Sequence, residues 1–155
     1  MWSALNWFAQ DNNLALDADY PYEANDLECR QDDRKLSPAH SAGYAFTGLG
    51  ECDSLIRAVA EGPVSVAVEA NNDAWMKYAG GVITANDCGE ALDHGVLVVG
   101  YYTEEINGEE MKVGIVKNSW GQRFGDGGYL YVTLNDNACG ICTQGTVAKV
   151  PDGLF

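Results

Sequence analysis

The chain has 155 residues, 46% apolar and 21% charged, a globular mixture that argues against disorder. That length suits one domain or slightly more, with a core of its own. Nine basic residues against 23 acidic ones leave a net charge of −14, which disfavours nucleic acid and anionic membrane surfaces as partners. The longest apolar run, around Val96–Val99, is too short to span a bilayer.

The first predicted element is an amphipathic helix over residues 2–10, with Trp2, Leu5, Phe8 and Ala9 on one side and Asn12-Asn13 ending it. The N-terminus has no basic n-region and no clean apolar h-region, so it does not read as a signal peptide. Residues 14–43 read as irregular, with turn residues at Asp19-Tyr20-Pro21-Tyr22 and a charged stretch from Glu28 to Lys35. Asp53 is placed to cap a helix carrying Leu55, Ile56, Val59 and Ala60, which Gly62-Pro63 stops. Val64, Val66 and Val68 alternate with smaller or polar residues, the pattern of a half-buried strand. One or two helical turns are expected at Asp73–Tyr78.

His94–Tyr102 reads as a strand buried on both faces. Asn107-Gly108 is a strong hairpin signal, with Met111–Ser119 as the return strand. A third strand is expected from Gly128 to Leu134 and a closing one over Val147–Val150. Helix first and antiparallel strands afterwards indicate an α+β fold with a small barrel or twisted sheet.

The five cysteines, Cys29, Cys52, Cys88, Cys139 and Cys142, show no zinc-binding spacing, and no metal site is expected. Disulfides in a secretory or lysosomal setting fit them better. Two pairs leave one cysteine over. With no signal peptide, that suggests a chain incomplete at its N-terminus.

Of the two histidines, His40 sits in loop sequence with no obvious partner. His94 opens a strongly apolar strand and is followed by Gly95, which leaves room beside the imidazole. If the strands pair around Asn107-Gly108, His94 and Asn118 fall near the same end of the ladder. A neutral amide is suited to orienting an imidazole without adding charge, and Trp120 is placed to cover the bond. This is the His and Asn part of a Cys–His–Asn arrangement. The alternative is a buried hydrogen bond of structural use only.

The sequence resembles the papain-like cysteine peptidases of the cathepsin L and papain type. The motifs that carry the resemblance are Asp19-Tyr20-Pro21-Tyr22-Glu23, Gly62-Pro63-Val64-Ser65-Val66-Ala67, Leu92-Asp93-His94-Gly95-Val96 and Val116-Lys117-Asn118-Ser119-Trp120-Gly121. Phe124-Gly125-Asp126-Gly127-Gly128-Tyr129 and Cys139-Gly140-Ile141 follow in the family's order. The resemblance implies a papain-like fold. Residues 1–46 would be the tail of a helical left domain, 47–150 a nearly complete right β-barrel domain, and 151–155 a return to the left side. It implies His94 as catalytic acid–base, Asn118 as its orienting partner and Trp120 as the indole that shields them. Asp93, Gly95, Ala67, Gln144 and Met1 would contact substrate. Small Ala67 and Gly95 would leave the main specificity pocket open to a bulky apolar side chain, and Gln144 argues against an arginine preference. Cys88 would pair with Cys139. Cys52 and Cys142 are expected as a second disulfide, and Cys29 would be unpaired. No cofactor is implied.

Two departures stand out. The family's nucleophile precedes its histidine by about 130–150 residues, whereas His94 has only 93 residues before it. The nucleophilic cysteine and the oxyanion glutamine would therefore lie upstream of Met1. The chain alone is expected to be inactive on peptide and protein substrates until an N-terminal segment or a complementary chain supplies the cysteine. The alternatives are a catalytically dead homologue that binds peptides or proteins, and one half of a split protease. Localisation would be lysosomal, vacuolar or secreted. The second departure is Gly114, where the family has an aromatic residue, and looser packing under the hairpin is expected there.

Overall fold

A computed structural model describes residues 1–10, 14–30, 39 and 41–149. His40, Val150, the 151–155 return and the Asn12-Asn13 stop lie outside them. The chain forms two compact units. One holds Met1 and Ala45–Val147; the other holds Trp2–Tyr44 and the chain from Ala148 on.

In the second unit, helix α1 (Trp2–Phe8) is shorter than the apolar spacing predicts and buries none of its residues. Trp2 is 51% exposed and its ring lies 6.3 Å from that of Tyr44. Further along, Arg30 stacks over Tyr20 and pairs with Glu23 at 2.9 Å.

The described residues form one seven-stranded sheet. Its strands are β1 (Gly43–Phe46), β2 (Val64–Val68), β3 (Val82–Ile83), β4 (His94–Ile106), β5 (Glu109–Lys117), β6 (Tyr129–Thr133) and β7 (Gly145–Lys149). The order is β1-β7-β2-β4-β5-β6-β3. The β2–β4, β2–β7, β4–β5 and β5–β6 pairings are antiparallel, while β3–β6 is parallel. The fold is thus mixed α+β with a dominant antiparallel sheet. The two-residue β3 has too short a pattern to be legible in sequence.

Helix α2 (Cys52–Glu61) begins one residue before the predicted cap, with Glu51 at the cap position and Asp53 in the first turn. An acid in that turn still complements the positive end of the helix. Leu55 and Val59, four residues apart, are buried together with Val64, Val66 and Val68 of β2. Each such side chain removed from water stabilises the fold by roughly 1.5–3 kcal/mol.

Strand β4 is not buried on both faces as its composition predicts. Val96 and Val98 are buried, Leu97 is half-buried and Gly95 is exposed. The face of Gly95 and Leu97 opens on a cleft instead of on the core. The predicted hairpin turn has positive φ at both residues, 54° at Asn107 and 83° at Gly108, as a two-residue turn between right-twisted strands requires. The register slips between Val98 and Gly100, which makes Val99 a bulge. The slip sets Val98 opposite Val116, and both are fully buried. Without it Val98 would face Lys117, because one residue of offset moves every later side chain to the other partner.

Gly114 does not loosen the hairpin. A Cβ there would sit 2.9 Å from Cδ2 of fully buried Leu134, so Leu134 occupies the space an aromatic side chain would take.

Disulfides join Cys52 to Cys142 and Cys88 to Cys139, closing loops with sequence separations of 90 and 51 residues. In the chain-entropy account, loops of this size are each worth about 4–5 kcal/mol. Cys29 is free and exposed. Among the described residues no helix is long and apolar enough to cross a membrane, and no three of His, Cys, Asp and Glu converge to hold a metal ion.

Candidate active site

His94 is the first residue of β4 and stands opposite Val68, the last of β2. Asp93, just before it, donates its N–H to Val68 O at 3.0 Å. The Asp93 carboxylate accepts the amides of Ala70 and Asn71 at 2.8 and 3.1 Å. That side chain therefore braces the turn after β2. Asn118 follows directly on β5, and its amide donates to Gly128 O at 3.0 Å. The hairpin brings the two strand ends together, and His94 Nε2 lies 2.9 Å from Asn118 Oδ1.

The protonation pattern follows from the neighbours. Ser119 N–H also donates to Asn118 Oδ1, at 2.8 Å. Two donors on one atom identify it as the amide oxygen. An oxygen only accepts, so His94 carries its hydrogen on Nε2, and Nδ1 is the nitrogen left to exchange a proton. Asn118 is 7% exposed, and its Nδ2 has no partner among the described residues.

Aromatic rings enclose the imidazole. Trp120 lies against it with centroids 5.1 Å apart and planes tilted by 33°. Trp75, fully buried in the short helix α3 (Asp73–Met76), presents an edge at 6.4 Å. Phe124 abuts Trp120 edge-on at 4.9 Å. Trp120 thus lies against the imidazole while staying 40% exposed itself.

Two concavities flank this group. The larger, of about 530 Å³, is lined by Met1, Gly95, Leu97, Lys117, Asn118 and Ser119 among others. The smaller, of about 180 Å³, is lined by Ala70, Asn71, Met76, Asp93, His94 and Trp120. Sequence reading did not single out the lining residues Met76 and Asn71, since nothing in their local pattern separates them from ordinary surface residues. Ala67 pairs directly with Gly95 across the β2–β4 ladder and donates its N–H to Gln144 O. The Met1 sulfur would stand 3.9 Å from a Cβ on Gly95. Met1, Gly95, Ala67 and Gln144 therefore sit around one small-residue patch. Ala67 and Gln144 are not among the residues lining either concavity.

The chain is similar to known proteins over most of its length. The family described as "Papain family cysteine protease" matches residues 1–149. Digestive cysteine proteinase 3 of Homarus americanus is 38% identical over 151 residues, covering 93% of this chain and 44% of the relative. Cathepsin L2 of Homo sapiens is 36% identical, covering 95% and 45%. The chain thus spans less than half the length of these curated relatives. Among solved structures, the bromelain protease from Ananas comosus in complex with the E64 inhibitor superposes with a TM-score of 0.85 at 31% identity, covering 97% of this chain and 69% of that one. Digestive procathepsin L 3 of Tenebrio molitor larval midgut gives 0.84 at 37% identity, covering 97% and 48%. With a family match across nearly its whole length and this strand framework, the chain belongs to the papain family of cysteine proteases.

Proposed function

We propose that this chain supplies the proton-handling half of a papain-like peptidase site, with His94 as acid–base and Asn118 as its orienting partner. The observation that carries this reading is the His94–Asn118 contact under Trp120, with Nδ1 left free. In the full reaction a cysteine thiolate attacks the scissile carbonyl, and the imidazole then gives its proton to the departing amine. Four of the five cysteines are in disulfides. Cys29 lies beside the Tyr-Pro-Tyr turn, not in a nucleophile motif. The thiolate and the oxyanion glutamine therefore come from polypeptide beyond these 155 residues, in the same chain or in another.

Residues 1–46 belong, in this reading, to the left domain of the family and residues 47–150 to the right one. Substrates are peptides and proteins. The patch of Ala67 and Gly95, with Met1 and Gln144 beside it, takes a bulky apolar side chain. Two disulfides fit an oxidising compartment, lysosomal, vacuolar or secreted.

The test is hydrolysis of a fluorogenic peptide by the 155-residue chain, alone and supplied with a family segment bearing the nucleophile. No turnover alone, and turnover on addition that falls about 10²–10⁴-fold in His94→Ala, is the expected result. Turnover by the chain alone that survives His94→Ala overturns the proposal. So does a stable complex with the segment that never hydrolyses peptide, which would favour a binding role. A preference for Arg over Leu at the pocket overturns the specificity reading.

A further inference from the structure

We propose that Glu69 is a positioning residue for His94. It acts through the segment 89–93, which delivers the histidine to the start of β4. Only the consequence for turnover rests on the peptidase reading. The geometry itself does not.

Glu69 is the first residue after β2, next to Val68, the residue that stands opposite His94. All three of its polar groups reach a different part of the site's support. Its N–H donates to Cys139 O at 2.8 Å, beside the Cys88–Cys139 disulfide. Its carbonyl accepts from Asn72 Nδ2 at 3.0 Å. Asn72 Oδ1 in turn accepts Trp75 N–H at 2.9 Å and caps α3, whose Trp75 edges the imidazole. Its carboxylate accepts Ala91 N–H at 3.0 Å.

The last bond matters most. The stretch Gly89–Asp93 has no strand or helix of its own. Its ends are fixed by the disulfide at Cys88 and by Asp93 N–H on Val68 O. Between them, Glu90 accepts Asn137 Nδ2 on one side and Ala91 donates to Glu69 on the other. Glu69, next to the end of β2, thus holds the middle of this stretch, while Asp93 N–H on Val68 O holds its end to β2 itself. Gly89 makes the contact possible. A Cβ at that position would lie 2.5 Å from Glu69 Oε2.

Without the carboxylate, Ala91 loses its tie three residues before His94, and the load of holding the approach to β4 falls on Asp93 alone. A shift there lengthens the Nε2–Asn118 bond and moves the imidazole off Trp120. Hydrogen bonds that position a reacting group tolerate little displacement.

The experiment follows the His94 Nε2–H proton by NMR in the 155-residue chain, through its exchange with water. Glu69→Ala is expected to speed that exchange about tenfold, the worth of one hydrogen bond. Glu69→Gln keeps an acceptor oxygen and is expected to stay within about twofold of the native rate. Gly89→Ala pushes away the end of a flexible side chain, and it is expected to reproduce the Glu69→Ala effect. Combined with Glu69→Ala, Gly89→Ala is expected to add nothing, the coupling a shared mechanism requires.

If Glu69→Ala does not fold, Gly89→Ala and Glu69→Gln carry the test. The proposal is overturned if Ala91 N–H exchanges faster in Gly89→Ala while the His94 proton does not. It is also overturned if the two substitutions add independently. Either result would leave the peptidase reading standing. A failed peptidase assay would in turn leave the exchange measurement intact. In an assembled peptidase, Glu69→Ala is expected to lower kcat at unchanged KM.

Discussion

Asn118 receives the His94 Nε2–H at 2.9 Å on the same oxygen that receives the Ser119 amide at 2.8 Å. The side chain cannot rotate by 180° without setting its NH2 group against two donors. The backbone of Ser119 thus locks the acceptor that orients the imidazole, and the lock is a local one, residue to next residue. Asn118→Ala removes the acceptor of two donors, one on half-buried His94 and one on exposed Ser119. A loss of about 1 kcal/mol is expected, measured as a lowered denaturant midpoint. Asn118→Asp keeps the acceptor and adds a charge. Comparing its denaturant midpoint with that of Asn118→Ala separates loss of the acceptor from the other effects of the substitution.

Trp120 reports on its neighbour. Its ring lies 5.1 Å from the imidazole, so removing the imidazole in His94→Ala is expected to change the indole emission, read by fluorescence at fixed pH. In Trp120→Ala the Nε2–H bond loses its cover. Its proton should then exchange with water faster, while Phe124 loses its edge-on partner.

The hairpin core makes a prediction of the opposite kind, about too much volume. Gly114→Ala drives a Cβ into Leu134 Cδ2. Overpacking of this kind is expected to cost about 1–3 kcal/mol, read from thermal or urea unfolding. Leu134→Val in the same chain should recover part of it. The two effects should then fail to add, as contacting residues do.

Three of the eight tyrosines ionise late. Burial, reinforced by a hydrogen bond to Glu104, pushes the Tyr102 hydroxyl up to about 12. Burial raises Tyr78, and the bond to Asp126 raises Tyr131. A phenol whose folded value is raised stabilises the fold fully below its unfolded value, near 10. That stability is lost as pH rises through about 12. Alkaline titration by tyrosinate absorbance should show the late fraction in the folded chain and not in the denatured one. Tyr102→Phe should shrink both the late fraction and the stability loss in that window. Tyr102 is 37% exposed, so solvent screening keeps the stability change small.

Much of this was legible in the residues. The alternation of Val64, Val66 and Val68 marked a strand, and Asn107-Gly108 marked the turn that pairs β4 with β5. Each of those signals acts over a few residues, through side-chain periodicity or through the positive φ a tight turn demands. Their combination was enough to set His94 and Asn118 near one end of a ladder, where the structure has them 2.9 Å apart. The order of helix and strand signals pointed to the α+β class, and the order of the motifs to the protease family, before any contact was known.

What the chain order could not announce was decided across long separations. The Val99 bulge exists because Val98 and Val116 share one core, a requirement invisible from either strand alone. Leu134 fills the space above Gly114 only because β6 lies next to β5. Nothing in the local sequence sets Glu69 apart from the other smaller or polar residues that alternate with the valines of β2. Glu69 becomes a brace for Ala91, 22 residues away, once the disulfide and the β2–β4 ladder bring those segments together. Local propensity sets which elements form, while packing and hydrogen-bond satisfaction between distant elements set which side chains meet.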